Sequence, residues 1–190
     1  NPAVAEQNAE IEKMQADYVK ALQIAFPEKA MYPDANSTLR VSYGTVEPYK
    51  ARDGVTYQSR TYLAGVIEKY IPGDYEFDVA AKLIELYENK DFGAYGENGK
   101  MPVCFVATNH TTGGNSGSPV LNAYGELIGL NFDRAWEGVM SDMYFDKRRC
   151  RNIMVDLRYV LFMVDKFAGA GYLVEEMDLV TESVAARVGK

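Results

Sequence analysis

The sequence predicts a mainly β fold with helices, in which six antiparallel strands wrap into a small closed barrel flanked by an N-terminal and a C-terminal helix. Three observations predict it. Apolar residues recur at helical spacing near both ends of the chain and at strand spacing over much of the middle. Asp53-Gly54 and Ala123-Tyr124-Gly125 sit as turn signals between β-forming runs. Six short strands also leave exposed edges unless the sheet closes on itself.

Residues 3–26 read as a helix, with Ile11, Met14, Tyr18, Leu22 and Ala25 on one face and Pro27 ending it. Such a stripe is a packing face, and its core can lie outside this chain. "STLRVSYGTVEPY" alternates, giving a strand near 38–46, and the Asp-Gly turn sends the chain back through a strand near 55–58. "TYLAGVIEKY" reads as a helix. A second, better helix lies in "YEFDVAAKLIELYENKD", with Val79, Leu83, Leu86 and Tyr87 on one face. "FGAYGENGKM" is a loop turning at Asn98-Gly99. Strands then follow near 102–108, 118–122, 126–133 and 151–156, and a tail helix carries Leu157, Val160, Leu161, Val164 and Phe167 before Gly169 and Gly171 break it. The expected organisation is residues 1–30 as a helix leaving another domain, 31–156 as the barrel with a helical insertion near 61–90, and 157–190 as a helical tail.

Composition narrows the function classes. A hydrophobic content of 47% supports a sizeable core. The net charge of −7 argues against nucleic acid, which needs a basic face, and against an anionic membrane surface. No apolar run approaches the roughly 18 residues of a membrane span. One histidine and no paired cysteine spacing argue against a metal site, and no cofactor is implied. Cys104 and Cys150 are compatible with a disulfide or with two separately buried thiols. The start at Asn1-Pro2-Ala3, with no initiator Met or leader pattern, reads as a cut chain.

Chemistry concentrates in "TTGGNSGSPVLNAYGELIGLNFDR", residues 111–134. A serine hydroxyl needs a general base within reach and donors for the developing oxyanion. A serine placed between Gly-Gly-Asn and Gly can meet the second need. Glycine at positive φ lets successive amides point into one hole, here those of Gly114 and Ser116. The competing reading is an ordinary polar β–β loop. His110 lies six residues before Ser116 and is the only histidine in the chain. In trypsin-like double barrels the chain order is His, Asp, Ser, with His and Asp on the first barrel and Ser on the second, whereas His110 shares one strand-loop unit with Ser116, so a local hydrogen-bonding role suits it better.

"GGNSGSPVLNAYGELIGLNFDRAWEG" followed by "RNIMVDLRYVLFMVDKFAGA" closely resembles the C-terminal region of peptidase family S46, bacterial dipeptidyl-peptidases with a trypsin-like double barrel and a helical cap. The resemblance is densest over residues 75–177. It implies that the six strands are the second barrel, that Ser116 is the nucleophile, and that the triad His and Asp lie outside this chain, which is then inactive alone. It further implies that Arg134, eighteen residues after Ser116, separates two specificities. Arg at this position resembles members cleaving after Asp or Glu, and Gly resembles members accepting hydrophobic P1 residues. Asp133 is a candidate for the substrate's N-terminal ammonium. Because strand alternation sends Asp133 and Arg134 to opposite faces, both roles need a bulge or bend there. A surface Arg134 paired with Asp142 or Glu137 is the alternative, and a lone Trp136 is pocket wall or packing. The implied partners are peptides with a free N-terminus, the missing N-terminal part of the same polypeptide and, since dimers occur in the family, a second copy. The implied location is the periplasm or cell surface of a Gram-negative bacterium. A non-catalytic protease-like binding module and an S46 enzyme preferring hydrophobic P1 residues are the alternative functions.

Overall fold

A computed structural model of the chain describes residues 2–29, 31 and 37–181. It divides into two compact units, residues 1–40 and 41–190. In the first, helix α1 (Pro2–Ala25) forms as its periodicity predicts, but none of its residues is buried. Ile11, Met14 and Tyr18 of the apolar stripe are all exposed.

The second unit opens with a two-stranded hairpin, β1 (Tyr49–Arg52) and β2 (Val55–Tyr57), turning at Gly54. The chain then lays down β3 (Arg60–Tyr62), α2 (Leu63–Ile67), α3 (Ala81–Glu88), β4 (Pro102–Ala107), β5 (Pro119–Leu121), β6 (Leu127–Arg134), β7 (Asn152–Asp156), α4 (Leu157–Phe162) and α5 (Gly171–Glu175). β3 to β7 form one antiparallel sheet in the order β3-β4-β7-β6-β5.

The expected six-stranded closed barrel is not what forms. The sheet has five strands, β3 and β5 stand at its two edges, and the β1-β2 hairpin is separate. The strand expected near 38–46 is absent except for a single bridge from Val46 to Ala107. Its alternation is real but has no surface to meet. Leu39, Val41 and Tyr43 are 101%, 88% and 90% exposed, so pairing them into a ladder would bury nothing. The helix expected from "TYLAGVIEKY" is also corrected. Arg60–Tyr62 pair with β4 as a strand, and helix begins only at Leu63, which is fully buried.

Packing explains the rest. Leu63, Leu83, Leu86, Phe92, Tyr95, Met101, Leu161, Phe162 and Val174 form the main core, joining α2, α3, α4 and α5 to the β3-β4 side of the sheet. Phe162 is wholly buried, which contributes about 2–3 kcal/mol relative to exposure. A smaller cluster of Phe105, Ala107 and Met154, flanked by Val120 and Ile128, lies beneath the strands that carry the serine loop. Asp156 ends β7 and caps α4, accepting from the Arg158 main-chain N–H at 3.0 Å. Its carboxylate is buried and held by Arg158 at 2.8 and 2.9 Å and Arg60 at 3.3 Å, which satisfies a charge that burial alone would disfavour. After α4 the helix widens into a π turn over Met163–Phe167. Cys104 and Cys150 are separate free thiols, Cys104 on β4 and Cys150 buried just before β7.

Candidate active site

The loop joining β4 to β5 carries Ser116 and is tied down from three sides. At its start, Thr108 exchanges two bonds with Thr45: the Thr108 N–H donates to Thr45 O, and the Thr45 N–H donates to Thr108 Oγ1, both at 3.0 Å. Within it, Asn115 builds the turn. Its Oδ1 accepts from the Thr112 N–H at 2.9 Å, its own N–H donates to Thr112 O at 3.2 Å, and its carbonyl accepts from the Ser118 N–H at 3.0 Å. This is the local hydrogen bonding that makes asparagine a turn residue. At its exit the loop is pinned to β6: the Gly117 N–H donates to Asn131 O at 2.7 Å, and the Asn131 N–H donates to Ser118 O at 3.0 Å.

Gly114 (φ +99°) and Gly117 (φ +82°) bracket the serine in the left-handed region, a conformation closed to most side chains. Ser116 is exposed at the crest. Among the described residues the main-chain N–H groups of Gly114 and Ser116 donate to nothing, so both remain available to an incoming acceptor. The Ser116 hydroxyl donates to Phe132 O at 3.3 Å.

That carbonyl belongs to a bulge. Asn131 pairs with Met154 and Asp133 with Ile153, leaving Phe132 as the extra residue of β6. The irregularity that joint roles for Asp133 and Arg134 require therefore exists, one residue ahead of Asp133. The exposed Asp133 turns one oxygen back on the chain, accepting from the Arg134 N–H at 2.7 Å. Arg134 is engaged end-on by Asp142, Nη1 to Oδ1 at 2.9 Å and Nη2 to Oδ2 at 2.8 Å, and Nη1 also donates to Ser141 Oγ at 2.7 Å. Its hydrogen bond to Asp142 raises the guanidinium pKa, and the same bond lowers that of the Asp142 carboxyl. Arg134 is 23% exposed and Asp142 54%.

His110 faces elsewhere. Its Nε2 lies 3.1 Å from Ser141 O, and its ring meets that of Phe145 at a centroid distance of 4.7 Å, tilted by 32°. Trp136 is 85% exposed.

Two residues missed by the sequence reading support the loop from behind. Asn131 is buried in β6, donates from Nδ2 to Asn115 O at 3.3 Å, and accepts at Oδ1 from Asn152 Nδ2 of β7 at 2.9 Å. The one available signal was compositional: asparagine is disfavoured in strands, yet it stands mid-strand in "GLNFD". Asn131→Ala removes both side-chain bonds and strands Asn152, whose Oδ1 is already buried without a partner among the described residues. The expected cost is about 1–3 kcal/mol by chemical unfolding, with faster amide exchange at Gly117.

The peptidase S46 family pattern matches residues 1–179, and the chain belongs to that family. It is 63% identical over 179 residues to the Asp/Glu-specific dipeptidyl-peptidase of Flavobacterium psychrophilum, covering 94% of this chain and 25% of that protein. It is 59% identical over 175 residues to the enzyme of the same name from Capnocytophaga gingivalis, with 91% and 25% covered. The dipeptidyl-peptidase 7 of Phocaeicola vulgatus is 49% identical over 178 residues, with 93% and 25% covered. The crystal structure of Porphyromonas endodontalis DPP11 in complex with the dipeptide Arg-Asp superposes with a TM-score of 0.82 at 49% identity, covering 87% of this chain and 24% of that one. The chain thus spans about a quarter of the length of the relatives it matches.

Proposed function

We propose that this chain is the C-terminal segment of a serine dipeptidyl-peptidase that releases N-terminal dipeptides with Asp or Glu at P1. The observation that carries the reading is the 3.3 Å bond from Ser116 Oγ to the carbonyl of Phe132, because the two residues that follow are Asp133 and Arg134. A fixed cation thereby sits within two residues of a contact of the attacking oxygen. In this reading Ser116 gives its proton to the triad base and attacks the scissile carbonyl, the peptide C–N bond breaks as the proton passes to the departing amine of the shortened peptide, and water then hydrolyses the acyl-enzyme ester to free the dipeptide. The free N–H groups of Gly114 and Ser116 donate to the oxyanion. Arg134 receives the P1 carboxylate through charge-assisted bonds, and Asp133, with one oxygen uncommitted among the described residues, receives the α-ammonium.

The triad base comes from the upstream part of the same polypeptide, since the chain's one histidine is held against Ser141 and Phe145. The names of relatives support the acidic P1: three that are 63%, 59% and 52% identical are Asp/Glu-specific dipeptidyl-peptidases. A periplasmic or cell-surface setting, and a homodimer, belong to the proposal on family grounds alone. No described helix is long and apolar enough to cross a membrane.

The test is product analysis on a peptide panel. The full-length polypeptide is expected to release Xaa-Asp and Xaa-Glu from free N-termini and nothing from acetylated ones, while this chain alone releases nothing. Cleavage inside N-terminally blocked peptides, or no cleavage by the full-length protein, would sink the proposal.

A further inference from the structure

A guanidinium has five N–H donors arranged along three edges, and only one edge pairs the two terminal nitrogens. Asp142 takes that edge, bonding Nη1 and Nη2 with one oxygen each. The second hydrogen of Nη1 goes to Ser141 Oγ. Three donors are therefore committed. The remaining two, the Nε hydrogen and the second Nη2 hydrogen, lie parallel on one edge and bond nothing among the described residues. That pair is itself a fork matched to a carboxylate.

We infer that Asp142 and Ser141 are positioning residues that hold Arg134 by its outer edges so that its Nε–Nη2 edge is presented to the P1 carboxylate. The inference rests on the reading of Arg134 as the P1 receptor. Arginine carries large rotamer freedom, and a guanidinium fixed before binding loses less of it on meeting substrate. Asp142 also places a second negative charge near the incoming carboxylate, which opposes binding. The two effects differ in their exposure to water. Asp142 is 54% exposed, so its repulsion across the guanidinium is screened by solvent, whereas its two bonds at 2.8 and 2.9 Å fix the fork directly. Positioning therefore outweighs repulsion. The clamp has its own support: the Glu137 carboxylate, on the segment leading to Ser141, accepts from Tyr49 Oη at 2.8 Å, and the Ser141 carbonyl lies 3.1 Å from His110 Nε2.

The experiment uses the full-length enzyme and compares Asp142→Asn, Asp142→Glu and Ser141→Ala, each with dipeptidyl substrates carrying Asp, Glu or Leu at P1. Asp142→Asn keeps one acceptor but sets an amide NH₂ against Nη2, so it breaks the bidentate clamp. It is expected to raise KM for P1 Asp about 10-fold with kcat little changed, and to leave kinetics on P1 Leu unaltered. Asp142→Glu restores part of the loss, and Ser141→Ala raises KM by a smaller factor. An equal loss on all three substrates, P1 Leu included, in a variant that unfolds at the parent's denaturant midpoint overturns the inference, because a role at the fork is selective for an acidic P1. So does an unchanged KM for P1 Asp, and so does a lowered one, which makes Asp142 a competitor rather than a clamp. Arg134→Gly, run in parallel, separates the two levels. If it leaves the preference for P1 Asp intact, the receptor reading itself falls; if it abolishes that preference while Asp142→Asn does nothing, only the positioning role falls.

Discussion

Ser116→Ala in the full-length polypeptide is expected to slow dipeptide release by roughly 10³–10⁶-fold, since loss of the attacking oxygen leaves only oxyanion and binding contributions. The fold gives this variant little reason to fail for any other cause. Ser116 is exposed, and its side chain makes one described bond, to Phe132 O at 3.3 Å. The bonds that shape the loop run through Asn115, Gly117 and Ser118, and none of them uses the serine hydroxyl. Unfolding free energy should therefore shift by no more than about 0.5 kcal/mol, the usual range for an exposed substitution. The measurement pairs single-turnover release of a Xaa-Asp dipeptide with chemical unfolding of the same preparation. Retained turnover in a folded variant rules out a nucleophilic role. A second comparison isolates the base. The 190-residue chain alone should be as inactive as the Ser116→Ala enzyme, because no described group other than Phe132 O meets the serine hydroxyl. Activity in the isolated chain would return His110 to consideration.

The serine loop was readable from sequence because its geometry is set by residues with unusual backbone freedom or local hydrogen bonding. Gly114 and Gly117 adopt positive φ, and Asn115 bonds within its own turn. These are short-range effects, visible in a six-residue window. The strands after the loop were readable for a similar reason, as turn signals bound them closely. The closed barrel was misread because alternation is a one-dimensional pattern. Residues 39–43 alternate as a strand should, yet a strand forms only where a partner edge and a facing surface exist, and the segment's one described strand bridge is from Val46 to Ala107. Helix α1 carries the same lesson in milder form, since its stripe is helical as expected yet none of its residues is buried.

What lay beyond sequence reasoning was register. The Asn131–Asn152 bond depends on which residues of β6 and β7 stand opposite, and a bulge at Phe132 resets that pairing. No count of intervening residues reveals the bulge, although the wish to use Asp133 and Arg134 together already demanded one nearby. The partners of Arg134 were half legible. Asp142 is an obvious carboxylate nearby in sequence, but Ser141 Oγ at 2.7 Å, and the free edge that the two leave, follow only from the folded segment.

Arg134→Gly should reverse the P1 preference of the full-length enzyme. A hydrogen bond to a charged group contributes about 1.5–3 kcal/mol, so losing a two-bond fork should lower kcat/KM for P1 Asp or Glu by roughly 10²–10⁴-fold. Turnover of P1 Leu should rise, because an apolar side chain no longer leaves a partly buried guanidinium unmatched. The stability cost should be modest for a stated reason. The deletion leaves Asp142 without its cation, but at 54% exposure water can solvate that carboxylate, and its pKa should return toward the ordinary range from the lowered one that Arg134 imposes. Arg134→Lys distinguishes charge from geometry. Lysine keeps the cation but cannot bond Asp142 end-on and a substrate carboxylate side-on at once, so its activity on P1 Asp should fall between arginine and glycine. Equal activity of Arg134→Lys and the parent would mean that charge alone reads P1. Unchanged preference in Arg134→Gly would return Arg134 to the role its bonds suggest, a residue paired with Asp142 at the surface.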